Sequence, residues 1–219
     1  MRPIVVTVGP LAGADTNAIA ESQTPAAGVA FTLDGTLVSG GVAVLDTPRR
    51  VLVTYGTEAA DRTIEITGTN WSGQPIGETV TVADGGPGTV ASVLDYATVS
   101  SIVSPDAFDA AVEVGTNGVA ASPWVRLDDW NANYVTVQCV ASGTVNYTVQ
   151  QTLDDPNSLT NPVAPQDVTW SSSADTAVVG ATATKISGFQ YAPCFVRVLL
   201  NSGSGSVTTT VLQSATPAR

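Results

Sequence analysis

"RTIEITGTNWSGQPIGETVTV", residues 62–82, alternates apolar and polar side chains on both sides of a short polar centre. With a side-chain period of two, Ile64 and Ile66 face one way while Glu65 and Thr67 face the other. On the return, Val80 and Val82 share a face opposite Thr79 and Thr81. Two half-buried antiparallel strands around a turn are the economical reading. The same stretch contains Asn70-Trp71-Ser72, a formal N-x-S glycosylation acceptor. The hairpin reading puts Trp71 at the tip, where it either folds back on its own lobe or anchors an interface.

Composition extends this reading to the whole chain. The 219 residues carry one Lys and seven Arg, and only 12% are charged, about half the globular norm. Thr, Val, Ser, Ala and Gly dominate, punctuated by 20 Gly and 13 Pro. Few helix formers and many turn residues predict short strands, so the fold class is all-β. A formal net charge of −11 opposes binding to phosphate backbones and to anionic membrane surfaces. The start "MRPIVVTVGPLAGADTNA" holds an apolar run only from Ile4 to Val8, shorter than a signal-peptide core. A soluble chain made in a cytoplasm is expected. Cys139 and Cys194 lie in apolar strand-like runs, where buried free thiols are the common state and a bridge between strand neighbours stays open.

Residues 1–28 differ from the rest. "PIVVTV" leads into an Ala- and Pro-rich stretch, read as an extended arm that orders against its own body or a neighbour, with disorder as the competing reading and a turn or two of helix open to Asp15–Glu21. From residue 29 the period-2 signal persists through "VAFTL", "VAVL", "RRVLVTY", the hairpin above, "GTVASVLDYATVSSIV" and "AAVEVG". A seam near "GTNGVAASP" separates residues 29–118 from 119–219. Beyond it, "NYVTVQCVASGTVNYTVQQTL" reads as a hairpin turning at Ser142-Gly143. "DTAVVGATAT", "CFVRVLL" and "SVTTTVL" are further strands, after a Pro-rich loop at 154–167. Two tandem β-sandwich lobes, jelly-roll or Ig-like, with an N-terminal arm are predicted.

Catalytic chemistry finds little support. No histidine is present, which removes Ser-His-Asp triads, Cys-His dyads and the usual zinc sites. "DGGPG" lacks the Lys of a phosphate loop, and its Pro removes a donor. Glu65, Glu78 and Glu113 sit on alternating strands where an outward, solvated carboxylate is the default, so a glycosidase-like pair is not expected. Asp128-Asp129 and Asp154-Asp155 with Asn157 could ligate calcium, but Asp-Asp before Pro is ordinary turn chemistry. No metal and no cofactor is expected. The sequons Asn70-Trp71-Ser72 and Asn146-Tyr147-Thr148 are common accidents of a Ser- and Thr-rich chain.

"PRRVLVTYG", "RTIEITGTNWSGQPIGETVTV", "TVSSIVSPDAFDAAVEVGTNG", "SPWVRLDDW" and "SGTVNYTVQQTLDDP", in that order, resemble a group of tailed-bacteriophage virion structural proteins. The likeness spans roughly residues 48–155 and extends through "FVRVLLNSGSGSVTTTVLQ". It implies a non-enzymatic component of the particle and carries over no catalytic residue. The expected function is a capsid decoration or cement protein, a homo-oligomer with a trimer favoured, bound to the major capsid protein or other virion proteins. A tail, collar or fibre-attachment component is the alternative, and a carbohydrate-binding module using Trp71, Trp130 and Tyr134 is a second. The interface candidates are Ile4, Val6 and Val8 of the arm, through strand addition, with Trp71, Trp130 and Tyr134.

Overall fold

The computed structural model describes residues 3–127, 135–189, 191 and 193–213. The fold is all-β, with no α-helix among the described residues. In chain order the strands are β1 (Ile4–Val8), β2 (Asp15–Gln23), β3 (Val38–Ser39), β4 (Val42–Tyr55), β5 (Arg62–Thr69), β6 (Pro75–Val82), β7 (Gly88–Ala91) and β8 (Tyr96–Val103). They continue as β9 (Val112–Ala121), β10 (Val125–Arg126), β11 (Val135–Ser142), β12 (Asn146–Thr152), β13 (Ser171–Ser172), β14 (Lys185–Phe189), β15 (Phe195–Ser202) and β16 (Ser206–Gln213).

The chain divides into two compact units. A central unit covers Ala12–Gly118, and a terminal unit combines the chain up to Leu11 with everything from Val119 onward. One division between the units lies after Gly118 and the other after Leu11, so the terminal unit is discontinuous in sequence. Residues 1–28, read from sequence as one arm, are instead divided between the units as two paired strands. Strand β1 pairs antiparallel with β16 from Ile4↔Val211 to Val8↔Val207, and β2 pairs with β9. The helical turn expected at Asp15–Glu21 is part of β2. Ala18, Ile19 and Ala20 are all buried there, and burial on both faces outweighs a weak local helix preference.

In the central unit the sheet runs β2-β9-β4-β8-β5-β6, with β3 and β7 also paired to β4. The predicted hairpin is β5–β6, in register from Arg62↔Val82 to Thr69↔Pro75. Ile64, Ile66, Val80 and Val82 all enter the core with Ile102, Val99 and Tyr96. Strand β4 is long because it serves four partners, β3, β7, β8 and β9. Val42 and Ala43 pair with β3, Ala43, Val44 and Arg49 with β8, and Leu52–Tyr55 with β7. Pro48, which has no N–H to donate, lies where the β4–β8 register shifts between Val44 and Arg49. The sheet curls until the Glu78 carboxylate on β6 accepts from the N–H groups of Val93 (2.8 Å) and Leu94 (3.1 Å), just past β7. Glu78 therefore sits on the inward-facing row with Ile76 and Val80, not outward as expected, and burial pushes its carboxyl above the ordinary range. The strand predicted at "VAFTL" reduces to one bridge, Ala30↔Val103.

The terminal unit is a sandwich. One sheet is β1-β16-β11-β14; the facing sheet is β13-β12-β15, with β10 and the end of β9 also on β15. Val8, Val137, Cys139, Val207 and Val211 pack from the first sheet against Tyr147, Val149, Val196, Val198 and Leu200 from the second. The predicted hairpin "NYVTVQCVASGTVNYTVQQTL" is not one. Its limbs β11 and β12 belong to opposite sheets, so the turn at Gly143 is an arch. Strands β15 and β16 are joined by a second arch across the same core. An arch and a hairpin share the same alternating pattern. Only the long-range partner distinguishes them, here β16 for β11 and β15 for β12. "DTAVVGATAT" forms a 3-10 turn over Thr176–Val178 and a single bridge, Ala181↔Tyr147, rather than a strand.

Both cysteines are free thiols. Cys139 is buried, and desolvation raises its thiol pKa. The Asp154-Asp155 pair does turn chemistry. Asp155 accepts from the Asn157 N–H at 2.8 Å and from Arg126 at 3.0 Å, and Asp154 accepts from the Thr169 N–H at 2.7 Å. Asp128 and Asp129 lie outside the described residues. Trp124 packs edge-on against Trp170 and Phe195 within the terminal unit, with ring centroids 5.1 and 5.9 Å apart. The Arg197 guanidinium lies 4.2 Å from the Trp170 ring centroid, so this face of β15 is covered by its own unit.

Candidate interaction surface

The outer face of the sheet β1-β16-β11-β14 is built by the phase of four strands. On β1 the alternation turns Val6 and Val8 toward the core and Val5 and Thr7 outward, while Ile4 at the start of the strand is exposed. On β16, Val207, Thr209 and Val211 are buried, which turns Thr208, Thr210 and Leu212 outward. On β11, Val135, Val137 and Cys139 are buried, so Thr136, Gln138 and Val140 face away. The pairing registers align these residues into cross-strand rows. Val5 lies opposite Thr210, Thr210 opposite Gln138, and Gln138 opposite Ile186 of β14. A parallel row joins Thr7, Thr208 and Val140, with the Thr7 and Thr208 hydroxyls hydrogen-bonded at 3.1 Å.

Two properties set this face apart. Four large aliphatic side chains are exposed on it: Val5 (57%), Val140 (44%), Ile186 (64%) and Leu212 (38%). In addition, β1, β11 and β16 contain no charged residue, and the one charge of β14, Lys185, is registered opposite Cys139 on the inward row, in a chain of net charge −11. Among the described residues, β1 pairs only with β16, so its other edge presents unpaired backbone donors and acceptors. Natural edge strands are usually blunted by lysines, prolines or bulges. "IVVTV" has none within it.

The sequence-derived site residues are distributed differently from the expectation. Val8 is in the core and Val6 packs against it, so of the three β1 candidates Ile4 alone is exposed. The outward residue that sequence reading missed is Val5. Its signal was available in the strand phase, but the sequence alone does not say which row faces the body. Trp71 is in the central unit, 37% exposed at the β5–β6 turn. The adjacent sequon has a structural explanation. Asn70 is buried, and its Oδ1 accepts from the N–H groups of Ser72 (2.9 Å) and Gln74 (3.0 Å), while its Nδ2 donates to Gln74 Oε1 at 3.1 Å. Gly73, at φ +79°, closes the loop in the left-handed region that favours glycine. Trp130 and Tyr134 lie outside the described residues.

Titratable chemistry is remote from this face. Cys139 lies beneath it with its thiol turned to the core, and Tyr147, whose phenol pKa burial also raises, is on the opposing sheet. What the face offers is a flat, neutral, Thr- and aliphatic-rich surface with an open edge. Compared with known proteins, the chain matches no family model and no curated sequence.

Proposed function

We propose that the chain is a non-enzymatic structural component of a tailed-phage virion. In this reading it is a capsid decoration or cement protein that docks the outer face of the β1-β16-β11-β14 sheet on the capsid lattice. The observation that carries the reading is the absence of charge from that face, combined with four exposed aliphatic side chains and an unpaired β1 edge. The exposed aliphatic side chains are interleaved with Thr210 and Gln138 on one uncharged face, and an open edge accepts a partner strand. The resemblance of the ordered motifs to phage virion proteins, read from the sequence, suggests the setting.

The size of the face bears on stoichiometry. Four strands and about seven residues per strand give roughly 450 Å², short of the ~800 Å² per partner of a stable interface. One copy would hold weakly. An oligomer presenting several such faces to a repeating lattice gains by effective concentration, which favours a trimer on the capsid over a monomer.

The test places charge on the face without removing β1. Deleting residues 1–10 would strip Val8 from the core and confound folding with binding. Val5→Glu and Ile186→Glu change exposed positions, and Thr79→Glu on the outward row of β6 is the control. Occupancy on purified particles of the encoding phage should fall at least tenfold for the face variants and not for the control. Unchanged occupancy of both face variants would refute the docking face, and label confined to one vertex in particle images would favour the tail or collar alternative.

A further inference from the structure

The terminal unit also holds a cavity of about 360 Å³ at one end of its sandwich, within the range of small-molecule sites. Its wall begins with Gln151. The inward row runs from Val145, just before β12, through Tyr147 and Val149, and the next member of that row is Gln151, an amide where the pattern calls for an aliphatic. Gln151 is only 7% exposed. Its Nε2 donates to the Tyr191 hydroxyl, and its Oε1 is buried with no hydrogen-bond partner. An unpaired buried amide oxygen costs roughly 1–3 kcal/mol, so its retention lining a cavity needs an explanation.

The surrounding groups supply one. Ser171 is directly opposite Gln151 in the β12–β13 pairing and also lines the cavity. Asp154 holds one carboxylate oxygen on the Thr169 N–H, leaving its second without a hydrogen bond from the described residues. Tyr191, half exposed, and Pro193 give the wall its flat apolar part. Among the described residues, no basic side chain lines the cavity. An amide acceptor, a carboxylate, hydroxyls and an aromatic face select a ligand that donates several hydrogen bonds and carries apolar C–H surface. The lack of a cation disfavours phosphates and carboxylates.

We propose that this cavity is a binding site for a neutral sugar of one or two rings, with its ring on Tyr191 and hydroxyls donating to Gln151 Oε1 and Asp154. This site is separate from the docking face, and either proposal can fail without the other. Saturation-transfer NMR on the full chain with D-glucose, D-galactose, N-acetyl-D-glucosamine and lactose tests it, with inorganic phosphate and ethanolamine as charged comparisons. At least one neutral sugar should bind, and its affinity should fall about tenfold in Gln151→Leu, the loss expected for one buried hydrogen bond. Because Gln151 is buried, Tyr191→Ala at an exposed position provides the second variant, with the same loss expected and a cooperative thermal melt above the assay temperature confirming the fold. Binding of phosphate or ethanolamine but no sugar, sugar binding unaffected by Tyr191→Ala, or no binding by any sugar would each overturn the assignment.

Discussion

Replacing Arg49 by Met tests how the central unit is closed. Arg49 is fully buried on β4, and its guanidinium reaches three acceptors. It donates to the Ala12 carbonyl at 3.1 Å, to the Asp46 carboxylate at 3.1 Å and to the Asn117 carbonyl. Ala12 is the first residue of the unit and Asn117 the last but one, so one side chain ties the two points where the chain enters and leaves. In the Met variant, Asp46, which is part exposed, regains water. The two carbonyls lose a charged donor, at about 1–3 kcal/mol each. Removing one partner from a buried charged network costs about 3–5 kcal/mol in other proteins, and the two estimates agree. Measured against a total stability of about 5–15 kcal/mol, this is a large fraction. Urea unfolding should show the loss as a lower midpoint. Hydrogen exchange should localise it to β2, β4 and β9 and leave β11 and β16 protected, because all three acceptors belong to the central unit. Arg49→Lys, with one compact donor group in place of a fork, should fall between wild type and Met. A loss below about 1 kcal/mol in the Met variant, or exchange that rises equally in both units, would refute the clamp.

Three further outcomes follow from single contacts. Asn70→Ala removes the acceptor that organises the 70–74 turn and should cost about 1–2 kcal/mol in urea unfolding, whereas a neutral result would mean that Gly73 alone sets the loop. Gly68→Ala should destabilise by about 3 kcal/mol or more, because its Cβ would come 1.9 Å from the Thr98 carbonyl oxygen; a melt within a degree or two of wild type would contradict that crowding. Glu78 predicts a pH dependence of defined sign. Its folded carboxyl holds a proton to higher pH than the unfolded one, chiefly through burial. The native state thus binds more protons above the ordinary value of 4.5, and stability declines as pH rises through the raised folded value. Asp109 and Asp175 act in the opposite sense. Backbone N–H donors at Ala59 and Ala177 lower their carboxyls, so their contribution is present above 3.8 and lost as pH falls. The difference in urea midpoint between wild type and Glu78→Gln isolates the first effect. The wild-type midpoint minus that of the variant should fall as pH rises from 4.5 toward neutrality, and a rise would show the sign to be wrong.

The β5–β6 hairpin could be read directly from residues 62–82 because it is local. Its turn chemistry, its alternation and its partner all lie within one stretch, and the structure pairs the two strands antiparallel from Arg62↔Val82 to Thr69↔Pro75. The Asn70 sequon needed one further fact, the burial of its side chain, before the turn explained it. What failed was non-local. Residues 135–152 have the same alternation as a hairpin, yet β11 and β12 stand in different sheets because their partners arrive from residues 195–213. "IVVTV" was recognised as extended, but its destination on β16 lies some two hundred residues away and leaves no mark in its own sequence. Glu78 was assigned outward because glutamates usually are, although the alternation with Val80 and Val82 already placed it on the inward row. The proposed docking face was half legible, since the outward residues of each strand follow from its phase. Their assembly into one neutral surface required the register of four strands.

That assembly bears on why the face is neutral. The chain carries 19 acidic residues against eight basic ones, so two copies meeting at random present like charges to each other. The β1-β16-β11-β14 sheet is free of carboxylates, and its one charge is the cation of Lys185. Approach through that sheet avoids the repulsion that most other contacts would meet, whether the partner is a lattice protein or a second copy. A solvent-facing sheet in an acidic protein gains solubility from a carboxylate at any outward position, and Thr136, Gln138, Thr208 and Thr210 offer four positions where none is found. Threonine there keeps strand propensity, the capacity to hydrogen-bond and a small methyl surface. Such a surface remains soluble while uncovered and can be covered without burying a charge.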